Sequence, residues 1–321
     1  MNNRKILKIV GIVVLSLMAI YIFLLLFLGH ILYPEFYKAS HKVESIPGLS
    51  EDFVPQGVTF TDDGTLLVCG YSSTDKPSRI YRLKSDECSV IYLENEDGTT
   101  YKGHAGGITS TGDYVYISNA SKIFILRTDD VLSSVDGASL SFIDHFSVPC
   151  RSSFCSSDGA FLYCGEYYAP GYDTDDSHRI ETRDGKTYQA ITFVYPLNKD
   201  GKAETEPVLA FSTTDKVQGF AFFSGKVALS ISSGLKESTI LFYDGSGVDS
   251  TFSYYGVDIP LIILDSSRLI KKLNAPHMSE DLEYRDGNLY VAFEAGAKKY
   301  GFMFIPSSER NIRSMDIDKL L

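Results

Sequence analysis

Polar side chains that could do chemistry stand at five points of the chain, 47 to 67 residues apart. Each point begins a short segment that runs into an apolar strand, and the residues are Gln56, His104, Arg151, Gln218 and the adjacent pair Glu280 and Asp281. An arginine can hold an anionic group, glutamines can bond hydroxyls, and a carboxyl group can act as an acid or a base. Side chains so distant in sequence meet only if the elements that carry them surround one point.

A β-hairpin of one design follows each of the five points. Each hairpin has a polar turn and then a second apolar strand, at residues 66–69, 114–117, 161–164, 227–230 and 289–292. A third strand follows in each unit, at residues 79–83, 122–126, 190–195, 239–243 and 301–305. A supersecondary unit that recurs at this spacing is typical of a β-propeller. The sequence therefore predicts an all-β propeller of five blades, whose first strands line a central channel.

Two regions affect the blade count and the closure of the ring. Residues 249–276 interrupt the strand pattern, so six blades are also conceivable, and residues 266–273 within this region read as a short capped helix. Residues 39–46 and 312–316 could each supply a strand to one shared blade, which would close the ring without an exposed edge.

Composition narrows the class of partner. The 321 residues are 44% hydrophobic, enough for a full core, and the formal net charge is −11. A surface of this sign repels phosphate backbones, which argues against binding of nucleic acid. Neutral sugars, cations and basic partners remain open.

The N-terminus has the pattern of a membrane anchor. Residues 1–8 form a basic tail, and residues 9–29 carry no charge. A helix of that length extends about 31 Å and could cross a hydrocarbon core of about 30 Å. We expect a transmembrane signal anchor over residues 9–32 with its basic end in the cytoplasm, a linker over residues 33–48, and the propeller over residues 49–321 outside the cytoplasm. A cleaved signal peptide is the alternative, but no small-residue cleavage site ends the apolar stretch.

Cysteine usage favours thiols over metal ligands. The five cysteines are Cys69, Cys88, Cys150, Cys155 and Cys164. Cys69 and Cys164 occupy the same slot in two repeats, which favours free, buried thiols, while one disulfide between Cys150 and Cys164 is the alternative. No C-x-x-C pair occurs, so no metal site is predicted from the cysteines, although calcium is possible at carboxylates.

Short motifs carry a resemblance to known proteins. The segments Q-G-V-T-F at residues 56–60, Q-G-F-A-F at 218–222 and S-E-D-L-E-Y at 279–284, with L-Y-V-A-F-E at 289–294, resemble bacterial extracytoplasmic β-propellers of the gluconolactonase/SMP-30-like, NHL-like and YncE-like kinds. The resemblance implies the fold over about residues 50–315. SMP-30-like lactonases hold a divalent metal in the channel through acidic and asparagine side chains. The predicted channel residues here include no asparagine, which departs from that pattern.

These observations predict a binding protein and leave a hydrolase open. We expect a small molecule, a glycan or a protein partner at the cell surface to bind at the channel mouth through Gln56, His104, Arg151, Gln218 and Glu280. The alternative is a hydrolase or lactonase, with or without calcium, for which Glu280, Asp281 and Glu166 are the candidate catalytic residues. Glu294 ends a second strand and is expected near these residues or at the opposite mouth, whereas residues 298–300 read as a solvated loop.

Overall fold

Five sheets form the blades of a propeller in the computed structural model, which describes residues 3–303, 305 and 307–321, the side chains of residues 3, 4, 6, 7, 21, 22 and 24–27 excepted. The all-β fold of five blades predicted from the sequence is confirmed. The apolar core lies mainly between neighbouring blades, in clusters such as the one that joins Phe154 and Tyr163 of the third blade to Phe220 of the fourth.

The strands follow one another blade by blade. Helices α1 (Asn3–Leu32) and α2 (Pro34–Ala39) lead into β1 (Ser40–Ser45). The first blade begins with β2 (Phe53–Phe60), β3 (Leu66–Ser72), β4 (Arg79–Lys84) and β5 (Glu87–Glu94). The second has β6 (Gly107–Thr111), β7 (Tyr114–Asn119), β8 (Lys122–Arg127) and β10 (Asp144–Ser147). Between β8 and β10 lie α3 (Thr128–Ser133) and β9 (Ala138–Ser141), and β9 joins the sheet of the first blade.

The third blade has the longest insertion. Its elements are β11 (Phe154–Ser157), β12 (Phe161–Gly165), the small hairpin β13 (Ile180–Glu181) and β14 (Thr187–Tyr188), β15 (Ala190–Pro196) and β16 (Leu209–Thr213). The fourth region has β17 (Val217–Phe223), β18 (Lys226–Ile231), β19 (Ser238–Asp244), β20 (Ser250–Tyr254), β21 (Val257–Ile263) and β22 (Leu269–Ala275). The chain ends with β23 (Ser279–Arg285), β24 (Asn288–Phe293), β25 (Asn311–Asp316) and α4 (Ile317–Leu320).

Strand order within the sheets explains the irregular regions. The blades are β2-β3-β4-β5-β9, β6-β7-β8-β10, β11-β12-β15-β16-β21-β20, β17-β18-β19-β22 and β23-β24-β25-β1. Residues 249–276 therefore hold no sixth blade, because β20 and β21 extend the third sheet and β22 completes the fourth. The helix predicted over residues 266–273 is wrong beyond one 3-10 turn at Ser266–Arg268. From Leu269 onward the segment pairs with β19, and this tertiary pairing overrides the local helical pattern.

The predicted third strand of the last blade is also wrong. Residues 301–303 and 305 are not in a strand, and residue 304 lies outside the described residues. Strand β25 pairs with β24 instead, with Leu289 opposite Met315, so the edge that residues 301–305 would need is already occupied.

The two ends of the chain close the ring as predicted. Strand β1 pairs with β25 in antiparallel register, with Ser40 opposite Met315 and Lys42 opposite Arg313. The fifth blade thus takes its outer strand from the start of the chain, and the segment 33–48 expected to be a linker contributes that strand. Helix α2 packs beside it, where Phe36 is fully buried with its ring 5.9 Å from that of Phe293.

The predicted membrane span is not shown by the structure. Among the described residues, no helix combines the length and apolarity that a bilayer crossing needs. The side chains of residues 21, 22 and 24–27, inside the predicted span of 9–32, lie outside the described residues.

All five cysteines are free thiols in the structure. Four of them are buried as predicted, whereas Cys88 is exposed on β5, so the expectation of burial is wrong there. The Sγ atoms of Cys150 and Cys164 lie 3.9 Å apart, close enough for contact without a bond.

Candidate functional site

In three of the five blades, the predicted site residues lie at an irregularity in the pairing of the first strand. The ladder between the first and second strand of the blade shifts register at Gln56, at Gln218 and at Glu280–Asp281. A β-bulge re-aims the side chains of the residues within it. These residues therefore depart from the alternation that a regular strand imposes.

The first strands of neighbouring blades approach each other closely at glycines, and these contacts show which positions of the strands are equivalent. A Cβ on Gly106 would lie 2.3 Å from the carbonyl oxygen of Ser153, and a Cβ on Gly57 would lie 2.6 Å from the amide nitrogen of Ile108. By this register the counterparts of Gln56 in the second and third blades are Gly106 and Ser153. His104 and Arg151, which the sequence marked, come two residues earlier.

Eight side chains from four blades form a connected group at the mouth where the first strands begin. We call this group the mouth cluster, and its members are Gln56, Tyr71, His104, Gln218, Glu280, Glu294, Lys299 and Tyr300.

Two carboxyl groups are at the centre of the mouth cluster. Glu294 Oε2 accepts hydrogen bonds from Gln56 Nε2 at 3.1 Å and from the Tyr300 hydroxyl at 2.8 Å. Glu280 Oε1 accepts a bond from Gln218 Nε2 at 3.4 Å. Each glutamine thus presents its amide nitrogen to one carboxylate.

Burial and mutual repulsion make these carboxyls weak acids. Desolvation raises the pKa of Glu280 well above its ordinary value, and the nearby charges of Glu294 and Asp281 raise it further, against the opposing charge of Lys299. Desolvation also raises the pKa of Glu294, while Tyr300, Lys299 and Gln56 act in the opposite direction. Ionisation of one of these carboxyl groups therefore disfavours ionisation of the other.

A cation and three rings form the rim of the mouth cluster, and they belong to Lys299, His104, Tyr71 and Tyr300. The rings of His104 and Tyr71 stack with centroids 4.4 Å apart. Lys299 donates to the Tyr71 hydroxyl, and its Nζ lies 5.2 Å from the centre of the Tyr300 ring. The side chain of His104 is exposed, yet desolvation by the surrounding protein lowers its pKa, and the charge of Lys299 lowers it further. A side chain that lines a concave opening is both exposed to solvent and surrounded by protein, as His104 is.

Asp281 has a different environment from its neighbour Glu280. It is fully buried, and its carboxylate accepts from the amide groups of Leu282 at 3.0 Å, Val58 at 3.4 Å and Ile108 at 3.5 Å. These amides belong to the fifth, first and second blades. Asp281 therefore ties three inner strands together, although desolvation first and then Glu283 raise its pKa.

The third blade holds the two remaining predicted residues apart from this group. Glu166 is buried and pairs with His178 at 2.5 Å, and it accepts from the Arg151 amide at 3.2 Å. The Arg151 side chain is exposed. Within the described part of the chain, no hydrogen bond or ion pair joins Glu166 or Arg151 to Glu280 or Asp281. The predicted catalytic set of Glu280, Asp281 and Glu166 is thus not one contact group.

Sequence reasoning missed three of the eight members of the mouth cluster, which are Tyr71, Lys299 and Tyr300. Lys299 and Tyr300 belong to a short 3-10 turn at residues 298–300 that follows the last second strand, and Tyr71 ends β3. A carboxylate at Glu294, directly after a second strand of the blade that carries Glu280, was the available signal. In the chain as described, no group of three or more His, Cys, Asp or Glu side chains is placed to hold a metal ion.

Comparison with known proteins gives likeness of fold alone. No family model matches the chain, and no curated protein matches it. A solved glutaminyl cyclase from Myxococcus xanthus is 10% identical, with a TM-score of 0.45 over 86% of this chain and 94% of that one. The PQQ-bound aldose sugar dehydrogenase of Streptomyces coelicolor is 13% identical, with a TM-score of 0.45 over 86% of this chain and 97% of that one. The fold-level resemblance expected from the sequence is confirmed, and identities this low carry nothing about activity.

Proposed function

We propose that the protein binds a neutral, hydroxyl-rich small molecule or glycan at the mouth cluster. The observation that carries this proposal is the pairing of Glu280 and Glu294 with Gln218 and Gln56 at one channel end. Carboxylate and amide oxygens accept hydrogen bonds from hydroxyls, and each of these side chains retains acceptor capacity beyond its present bond.

The rim supports the same class of ligand. Tyr71 and Tyr300 provide aromatic surface beside the acceptors, and such rings have an apolar face and a polar tip. Lys299 supplies donors for ring or hydroxyl oxygens. A neutral ligand is favoured because burial disfavours the ionised forms of Glu280 and Glu294 and raises the pKa of both.

A membrane location is part of this proposal on the grounds of the sequence. Residues 9–29 carry no charge and follow a basic tail, which is the pattern of a signal anchor. The propeller would then meet its ligand outside the cytoplasm at the cell surface. Fractionation of cells that express the full chain, with protease added from outside, tests this directly. Resistance of the propeller in intact cells would count against it.

Acid–base hydrolysis is a second candidate. Glu280 and Glu294 repel each other, so one can hold a proton that the other lacks, as a general acid and base require. A hydrolase of this kind would cleave a lactone or glycoside at the mouth. Turnover of either probe class that Glu280→Gln abolishes would favour it, and turnover that rises with added calcium would favour the metal-dependent form.

Calorimetric titration tests the binding proposal. The purified chain is titrated with a panel of neutral monosaccharides, disaccharides and polyols. Binding of at least one probe is expected, with loss of about two- to tenfold in affinity in Glu294→Gln, since one hydrogen bond to a neutral ligand contributes about 0.5–1.5 kcal/mol. The matched control Glu87→Gln changes an exposed carboxylate on β5. Equal loss in both variants, or no binding by any probe, would refute the proposal.

A further inference from the structure

A cavity lies at the end of the channel opposite the mouth cluster, where the first strands finish. Its volume is about 470 Å³, and turns or strand ends of all five blades line it. The mouth cluster lies at the beginnings of the same strands, and Asp281 lies between the two levels. The cavity is therefore separate from the proposed ligand site.

One carboxylate in this cavity has unused binding capacity. Glu283 lines the cavity with only 7% of its surface exposed, and its Oε2 atom has no hydrogen-bond partner among the described residues. Two hydroxyl groups at the equivalent position of other blades, those of Thr109 and Ser156, are also buried without hydrogen-bond partners. Each lies three residues after the counterpart of Gln56 in its blade, just as Glu283 lies three residues after Glu280. A buried acceptor without a donor is costly, and a bound donor would relieve that cost.

The neighbouring cation does not satisfy Glu283. Arg285 donates to the carbonyl oxygens of Thr61 at 2.6 Å and Asp62 at 3.2 Å, and its Nε bonds Asp286 at 3.3 Å. Its guanidinium also lies over the Phe60 ring, with its carbon 5.6 Å from the centroid. The donors of Arg285 are thus used in hydrogen bonds to the turns of the first and fifth blades.

The remaining lining is acidic and aromatic. Asp62, Asp158 and Asp286 join Glu283 there, against the single guanidinium of Arg285. The aromatic members are Phe60, Phe222, Phe223 and Tyr284, and the last two stack with centroids 4.5 Å apart. Carboxylates beside aromatic faces attract organic cations, through charge and through cation–π interaction.

We propose that this cavity is a second binding site, for a small organic cation whose ammonium or guanidinium group donates to Glu283 Oε2. The ligand's apolar part lies against the aromatic lining. An anion is excluded by the surplus of carboxylates. Burial disfavours the ionised form of Glu283, and the charge of a bound cation would hold the carboxylate in that form, which a neutral alcohol cannot do.

Titration of the full chain with small probes tests this inference. The probes are n-butylammonium chloride and n-butylguanidinium chloride, with n-butanol and sodium butyrate as the matched neutral and anionic controls. At least one cation is expected to bind, with n-butanol and butyrate at least roughly tenfold weaker, as a bond to a charged group implies. Equal binding of cation and alcohol, or no cation binding, overturns the proposal without any variant.

Two variants separate this site from the mouth cluster. Glu283→Gln should weaken cation binding roughly tenfold or more while leaving the saccharide titration unchanged. Glu294→Gln should leave cation binding unchanged. Undiminished cation binding in a folded Glu283→Gln chain would place the cation elsewhere and overturn the assignment.

Discussion

Acidic residues buried along the channel are the dominant feature at the scale of single residues. Glu280, Asp281 and Glu283 follow one another on β23, and Glu294 lies beside the first of them. Burial raises the pKa of all four carboxyl groups. Ionised groups with such shifts oppose folding at neutral pH, and for Glu280, Glu283 and Glu294 this indicates a role other than stability.

Glu283 should make stability depend on pH in a definite window. Desolvation raises its pKa from an ordinary 4.5 to about 8, against Thr59 and Arg285. A raised pKa stabilises the folded state below the ordinary value, and that contribution disappears as pH rises through the folded value. The free energy of unfolding is therefore expected to fall between about pH 5 and pH 8, by a few kcal/mol from this group, since one pKa unit corresponds to about 1.4 kcal/mol.

Urea unfolding at several pH values measures this slope. Asp281 and Cys155 also face Glu283, and Arg285 lies on the same strand. The contribution of Glu283 is therefore isolated by comparing the native chain with Glu283→Gln. The variant should show a smaller decline over the same window. An identical decline in both chains would show that Glu283 titrates normally.

Asp281 is expected to act in folding rather than in chemistry. Asp281→Ala leaves the amide groups of Val58, Ile108 and Leu282 without their acceptor, so the free energy of unfolding should fall by about 2 kcal/mol or more. Asp281→Asn keeps one carbonyl oxygen and should lose less. Equilibrium unfolding in urea distinguishes the two. Loss of ligand binding without loss of stability in Asp281→Ala would contradict the structural role.

At the residue scale the structure brings Gln56, Gln218 and Glu280, three of the residues singled out from the sequence, into one connected group. Their shared motif follows from one strand design repeated around a ring. It could not reveal that bulges aim these side chains, because a bulge depends on the partner strand. His104 reached the mouth for another reason, by stacking on Tyr71.

At the scale of elements, the third blade differs from the others by a long insertion between its second and third strands. Its insertion between β12 and β15 carries His178, whose ring packs near Phe193 and Phe252 and bonds the buried Glu166. The predicted catalytic candidate Glu166 thus anchors an insertion. Local sequence did not reveal this because the partner comes from a polar loop.

The N-terminal elements should be needed for a stable propeller. Removal of residues 1–45 deletes β1 and exposes the edge of β25, and it also removes Phe36, whose burial alone accounts for about 3–5 kcal/mol. Removal of residues 1–32 keeps these elements. We expect the shorter deletion to unfold near the native urea concentration and the longer one to unfold earlier or aggregate.

Size-exclusion chromatography and urea unfolding compare the two deletions. Phe36→Ala in the full chain is the matched point variant and should lose stability in the same direction. Equal stability of both deletions would show that the closure of the fifth blade is dispensable. This closure was predictable from the logic of a ring, whereas the outer strands at residues 250–263 were not, because β21 pairs in parallel with a strand distant in sequence.

The whole molecule has two chemically different channel ends. The mouth cluster offers glutamine and glutamate side chains beside aromatic rings, and the opposite cavity has more carboxylates than cations among its lining residues. Asp281 and the packed inner strands separate them. Net charge of −11 favours neutral and cationic ligands over anions at either end.

Thermal unfolding of the full chain with saccharides and polyols is the measurement that tests the central claim most directly. A probe at about 100 times its dissociation constant adds about 2.7 kcal/mol, which shifts the midpoint by a few degrees for a protein of this size. We predict such a shift in the native chain and its absence in the Glu280→Gln, Glu294→Gln double variant. The same scan with EDTA and then calcium reports any metal in the channel. No shift with any hydroxyl-rich probe, or an equal shift in the double variant, would contradict binding at the mouth cluster.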